Sequence, residues 1–323
     1  MRVTTIHAPG DIRLEDRPEP RITEPHQAVI KVVASCVCGS DLWPYRGENP
    51  IDVGSPIGHE AVGVIEEVGA DVRDFRPGDF VVVPFVHCDN TCPHCRFGAT
   101  SACVNQGFTN GGQGEYSLVH QADGSLVKTD GMPDEKLVPS LLTLSDVMAT
   151  GWHAAVSAGV RPGSTAVVVG DGAVGLCGVL AARELGAERV IAMSRHEPRQ
   201  KVAEQFGATD IVAERGEEGE QRILDLTDGV GADAVLECVG TNGAMRTAFK
   251  RFAYGSKMWN SRTMESPSLT CHRPMQRPSS RMIDVVLPAG SYTHGAKRGS
   301  PASGPSALGS CCHRSIQIAH GSR

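Results

Sequence analysis

The sequence predicts an α/β protein in two parts, an all-β, barrel-like first part followed by a doubly wound parallel sheet. Two patterns predict it. From Met1 to about Thr150, short β-type runs (Ala28 to Val33, Ala61 to Val68, Phe80 to Val86) are separated by Gly, Pro and Asp. From about Val160 the order becomes strand, glycine turn, amphipathic helix, repeated, which specifies parallel strands joined by right-handed crossovers. A third observation limits the prediction. After about Phe249 the periodicity gives way to Ser, Pro, Arg, Gly and His, and no element is assigned there.

The opening segment, MRVTTIHAPGDIRLEDRPEP, alternates like a strand and a turn and has no apolar stretch of the signal-peptide kind, so a cytoplasmic location is expected. No apolar run approaches the roughly 18 residues of a membrane span. The second part reads TAVVVG, a helix from Ala173 to Leu185, RVIAMS, a helix from Pro198 to Phe206, DIVA, a charged helix and ADAVLECVG. With 323 residues there is chain for two cores, and the expected division is 1–155, 156–249 with a partial parallel sheet, and 250–323 as a divergent, disordered tail.

Three short motifs carry the chemistry. They are CGSD at Cys38 to Asp41, GHEAVGVIEEVG at Gly58 to Gly69, and SDVMATG at Ser145 to Gly151. A zinc site for carbonyl chemistry needs about three protein ligands and one open position. A thiolate, an imidazole and a carboxylate suit it. Read singly, Cys38 is a small buried hydrophobe, His59 a satisfied core histidine, and Asp146 a helix N-cap. Together the motifs favour the metal.

At these residues the chain resembles the zinc-dependent medium-chain alcohol dehydrogenases, whose signature G-H-E-x-x-G-x5-G is matched by Gly58, His59, Glu60, Gly63 and Gly69. The resemblance implies a GroES-like β-barrel catalytic domain plus an incomplete doubly wound Rossmann domain. It implies that Cys38 and His59 are catalytic zinc ligands, that Glu60 is an adjacent carboxylate able to enter the coordination sphere, and that Asp146 takes a third-ligand place often held by cysteine. Asp41 would orient His59, Thr150 would belong to the same catalytic site, and Ser40 would pass the substrate proton towards solvent. Many relatives continue that relay with a histidine three residues after the serine; here Trp43 stands there, and Trp43 and Tyr45 either shape an apolar substrate pocket or pack against the core.

The segment HCDNTCPHCRFGATSAC places Cys92, Cys95 and Cys103 at C-x2-C-x7-C, the spacing of the family's structural zinc lobe. Such a loop has too small a core to hold itself without a metal. The family's remaining ligand falls on Asp89 by register, with Cys88 one residue earlier as the alternative. An unmetallated thiol cluster is the other reading.

Gly170, Gly172 and Gly175 follow an apolar strand and open a helix, the context in which glycines let a backbone approach a dinucleotide pyrophosphate. Val174 and Val239 are further cofactor candidates. An NAD site places an acid at the end of the next strand; here that end reads Met193, Ser194, Arg195, His196. Arg195 suits a 2'-phosphate, Ser194 offers it a hydrogen bond, and Arg199 adds a charge, so NADP(H) is expected over NAD(H). The alternative is a solvated Arg195 with Glu197 reaching back to bind NAD.

The resemblance covers Met1 to about Phe249. The net charge of −6 hides an asymmetry: residues 251–323 carry two acidic and ten basic side chains. Their composition suggests translation out of frame, which reading the neighbouring frame of the nucleotide sequence tests; a genuine basic tail is the alternative. Without strands five and six the sheet keeps an unpaired edge, which argues against the homo-oligomers that family members form. Cys271, His272, Cys311, Cys312 and His313 are read as a chance grouping. The tail has no nucleic-acid module and no interleaved aromatics, so the expected partner is a small alcohol or carbonyl compound. The expected function is zinc-dependent hydride transfer between NADP(H) and an alcohol, aldehyde or ketone. The alternatives are a formaldehyde-, threonine- or sorbitol-type dehydrogenase, or an inactive zinc-binding remnant.

Overall fold

The computed structural model describes residues 1–250 and 252–260. The first half contains strands β1 (Arg2–Ala8), β2 (Asp11–Asp16), β3 (Ala28–Ser35), β4 (Ser55–Pro56), β5 (Ala61–Val68), β6 (Phe80–Val83), β7 (Val86–His87), β8 (Gly107–Phe108), β9 (Tyr116–Val119) and β10 (Val127–Lys128). A five-stranded antiparallel sheet has the order β10-β6-β5-β3-β9, flanked by a three-stranded sheet β2-β1-β4 and the β7-β8 pair. Ile30, Ile65, Val81, Val83 and Val119 close its core, each fully buried aliphatic side chain contributing about 1.5–3 kcal/mol. The expected run Phe80 to Val86 is split after Val83, where Pro84 has no N–H to give a ladder.

Short helices α1 (Leu42–Tyr45), α2 (Pro93–Arg96), α3 (Ala122–Ser125) and α4 (Val138–Thr143) punctuate this half, and α5 (Val147–Ser157) leaves it. The expected boundary at residue 155 falls inside α5. Its start carries Asp146, while Ala154 and Ala155 lie in the core on one face of the second sheet. A side chain at Gly151 would run into the backbone of Cys177 and Gly178, so α5 and α6 touch backbone to backbone.

The second half alternates β11 (Thr165–Val169), α6 (Ala173–Glu184), β12 (Arg189–Met193), α7 (Glu197–Gln205), β13 (Asp210–Val212), α8 (Gly216–Leu226), β14 (Ala232–Glu237), α9 (Asn242–Lys250) and β15 (Phe252–Asn260). The parallel order is β13-β12-β11-β14-β15. The strands are apolar on both faces because helices cover both, with Val168, Val190 and Leu236 in one core and Val167, Ile191 and Val235 in the other.

The sheet extends further than the expectation of an end at Phe249. β15 pairs in parallel with β14, matching Val235 to Met258 and Leu236 to Trp259, and Met258 and Trp259 are buried. A fifth strand is therefore present, and among the described residues the sheet ends on β15 rather than on β14. Met258 and Trp259 enter the cores on opposite faces of the sheet, so at these two residues the strand is apolar without alternating. The expectations for residues 261–323, the change of frame and the Cys/His grouping included, lie outside the described residues.

Candidate active site and metal centre

The catalytic-type cluster forms where three elements converge. β3 delivers Cys36 and the turn Gly39–Asp41 that follows Cys38. His59 and Glu60 precede β5, and Gly58 before them adopts φ +83°, a left-handed conformation with Gln113 packed where a side chain would go. Asp146 precedes α5. One donor atom from each of Cys38, His59, Glu60 and Asp146 lies within 4.8 Å of the others.

The hydrogen bonds give each group a direction. Asp146 occupies the N-cap place of α5, yet its side chain does not cap the helix. Its Oδ1 accepts from Thr150 Oγ1 at 2.7 Å, and its Oδ2 lies 3.2 Å from His59 Nε2 and 3.6 Å from Cys38 Sγ. On the other side of the imidazole, Asp41 Oδ1 lies 3.3 Å from Nδ1, while Asp41 Oδ2 accepts the backbone N–H of Cys38 at 2.9 Å. Phe85 meets the same imidazole edge to face. Burial disfavours a charged imidazole, but Asp146 and Asp41 override it and push His59 up to about 12.

Glu60 is 1% exposed. Its Oε2 accepts from Cys36 Sγ at 2.6 Å, and its Oε1 has no hydrogen-bond partner. A buried carboxylate oxygen without a partner is costly. Together with the thiol, imidazole and second carboxylate, it fits a borderline-soft divalent ion such as zinc. Burial and Glu60 hold the Cys36 thiol up to about 12, so Cys36 stays a donor to Glu60. The motif reading overlooked Cys36, although it sits two residues before Cys38 in the same segment. Ser40 is half-buried in the turn beside Cys38, whereas Trp43 and Tyr45 are 38% and 40% exposed and are not core residues.

The second cluster gathers Asp89, Cys92, Cys95 and Cys103 within the same 4.8 Å limit. Asp89 Oδ1 accepts from the N–H groups of Thr91 and Cys92, and Oδ2 from Asn105 Nδ2; those bonds hold its carboxyl far below the usual carboxylate range. Cys103 Sγ accepts the N–H groups of Asp89 and Asn105, each at 3.3 Å. Cys88 packs in the same buried cluster as the three cysteines, but its thiol donates to the Gly124 carbonyl at 3.3 Å. Of the two alternatives, Asp89 is the one with a donor atom gathered with the three cysteines.

The nucleotide-type corner lies at the C-terminal ends of the parallel strands, where such sheets bind ligands. A side chain at Gly175 would strike the Gly170 carbonyl, so α6 leaves β11 at a distance only glycine permits. At Gly172 a side chain would meet nothing within 4 Å, leaving an open cradle at the start of α6 that fits a pyrophosphate. Val174 lies in the first turn of α6, and Val239 packs against Gly170. Ser194, expected to donate to a 2'-phosphate, is instead 1% exposed and donates inward to Asp171 Oδ2 at 3.0 Å. A buried carboxylate needs donors; Asp171 takes that hydroxyl and also Arg199 Nη1 at 3.0 Å. Arg195 is exposed, and Glu197 pairs with Lys201 along α7 rather than reaching back.

The alcohol dehydrogenase GroES-like domain model matches residues 24–131, and the zinc-binding dehydrogenase model matches residues 173–261. A Mycobacterium tuberculosis protein named "Probable zinc-binding alcohol dehydrogenase" is 35% identical over 84% of this chain and 72% of its own length. The chain belongs to the zinc-dependent medium-chain alcohol dehydrogenase family. Zinc-type alcohol dehydrogenase B of Aspergillus flavus is 35% identical over 77% of this chain, which spans 60% of that protein's length. Among solved structures, zinc-dependent alcohol dehydrogenase 2 of Streptococcus pneumoniae in its apo form is 31% identical, with a TM-score of 0.72 over 78% of this chain and 73% of that one. A "putative zinc-binding dehydrogenase" of Sinorhizobium meliloti 1021 bound to NADP is 25% identical, with a TM-score of 0.66 over 79% of this chain and 74% of that one. Family membership brings the GroES-like plus Rossmann fold, and the family is one of zinc- and nicotinamide-dependent oxidoreductases. No helix among the described residues is long and apolar enough to cross a membrane.

Proposed function

We propose that this chain transfers a hydride between NADP(H) and a primary or secondary alcohol, or the corresponding aldehyde or ketone, at a zinc site made by Cys38, His59 and Asp146 with Glu60 alongside. The observation that carries the reading is the convergence of these four donors with an unpartnered Glu60 oxygen. When bound, zinc polarises an alcohol or carbonyl oxygen and the nicotinamide supplies or accepts the hydride.

The chain's own residues do the rest. Asp41 fixes the imidazole so that Nε2 faces the cluster. Thr150 holds Asp146 through Oδ1 and leaves Oδ2 for the cluster. Ser40, in the turn between Cys38 and Asp41, is the group that moves the substrate proton, and Trp43 stands where a relay histidine would continue the path. Asp89, Cys92, Cys95 and Cys103 would hold a second, structural zinc, which would tether their loop. Gly170, Gly172, Val174, Gly175 and Val239 line the pyrophosphate side. Exposed Arg195, with no acid at the tip of β12, supports NADP(H), as does the NADP-bound neighbour. The expected location is the cytoplasm.

The test is zinc analysis of the purified chain with an NADP-linked screen of small alcohols. The reading expects two zinc ions and turnover that His59→Ala abolishes. Turnover undiminished in His59→Ala, or a wild-type chain without zinc, overturns it.

A further inference from the structure

Three features lie outside the reaction proposed above: a cavity, a thiol and a buried carboxylate. A cavity of about 480 Å³ beside Glu24, His26, His87 and His120 has the unpartnered Nδ1 of buried His87, but its groups do not converge on one ion. The thiol of Cys36 belongs to the metal cluster already described. The third is Asp171, and it carries an inference.

Asp171 lies between two glycines of the phosphate-type loop, at a position that the glycine pattern leaves variable. It is 7% exposed. Its two oxygens take the Ser194 hydroxyl and the Arg199 guanidinium, both at 3.0 Å. Ser194 directly follows β12, the place from which such folds address the 2' position of the adenine ribose. The acid that NAD-type sites keep at the tip of the second strand is thus absent from this tip and supplied from the first loop. Arg199 is 52% exposed on its solvent side, so the pair is anchored by the buried carboxylate rather than by packing around the cation.

We infer that Asp171 is a cofactor-selectivity residue, a buried anion that occupies Ser194 and Arg199 and thereby limits how strongly this corner favours a 2'-phosphate over a free 2'-hydroxyl. The inference rests on the dinucleotide reading above and deepens it. With Asp171 in place, exposed Arg195 is the cation left for the phosphate, and the nearby carboxylate opposes a second anion. With Asp171 neutralised, Ser194 and Arg199 become donors to the phosphate. A role confined to stability would weaken every nucleotide alike.

Calorimetric titration of the full zinc-loaded chain with 2',5'-ADP and with 5'-ADP reads the effect without turnover. Asp171→Asn is expected to raise the affinity ratio in favour of 2',5'-ADP at least tenfold, about 1.4 kcal/mol. Arg199→Met, which leaves the carboxylate with Ser194 but without its cation, is expected to lower the same ratio at least tenfold and stands in if Asp171→Asn does not fold. Ratios within twofold of wild type in the folded variants overturn the inference while leaving the dinucleotide reading intact. A wild-type chain that binds neither nucleotide overturns both.

Discussion

Asp41 touches the metal cluster only through other groups, and Asp41→Asn isolates what that indirect contact contributes. The carboxylate faces His59 Nδ1 at 3.3 Å and accepts the Cys38 N–H at 2.9 Å. It therefore sets the imidazole tautomer and the position of the thiol together. Asparagine keeps the shape but loses the charge, and its amide nitrogen cannot accept. Losing one hydrogen bond to a charged acceptor costs about 1.5–3 kcal/mol. Removing a ligand-orienting partner weakens metal binding roughly 10- to 100-fold, about 1.4–2.7 kcal/mol. The two figures agree. Titration of the zinc-loaded protein with a chromophoric chelator should resolve two ions, and in Asp41→Asn one of them should weaken 10- to 100-fold while the other keeps its affinity. Both steps superimposing on wild type within twofold would refute the argument that Asp41 acts on the metal through His59 and Cys38.

The second cluster gives a contrast: Asp89→Ala should lower zinc content and melting temperature, while Cys88→Ser, whose thiol points to Gly124, should retain two zinc ions by elemental analysis. Cys95→Ser should lose about one zinc per chain and melt earlier, and an unchanged stoichiometry would remove the structural-zinc assignment. Gly175→Ala drives a methyl into the Gly170 carbonyl, an overpacking that costs roughly 1–3 kcal/mol; thermal melts should register it, and nucleotide titration should show weakened binding. Burial raises the Asp171 carboxyl, but the hydrogen bonds from Ser194 and Arg199 override it and leave the folded value below the usual range. Its contribution to stability is therefore complete above the unfolded value, about 4, and is lost as pH falls through the folded one. Urea unfolding of wild type and Asp171→Asn from pH 6 to pH 3 should show their difference shrinking towards the acid end; a constant difference would contradict the charge assignment.

The alternation of β11, α6, β12 and α7 was legible because apolar runs and glycine turns are local patterns, read within one element at a time. So was the membership of Cys38, His59, Glu60 and Asp146 in one site, since each stands in a short motif of its own. β15 was not legible: Met258 and Trp259 are both buried and so break the alternation, and the strand is recognisable once β14 offers it a ladder. Asp171 was hidden for a different reason, because the glycine pattern allows any residue at its position and its meaning comes from Ser194 and Arg199, 23 and 28 residues away. That Asp89, and not Cys88, has a donor atom gathered with the three cysteines likewise depends on the direction of two side chains on neighbouring residues. The sequence by itself determined which residues could serve as metal donors and where the backbone comes close enough for a phosphate, because motif and periodicity are properties of the chain. The tertiary structure decided which oxygen of Glu60 is left without a partner and which cation is already spent on an anion, because a buried polar group is satisfied by whatever folds against it.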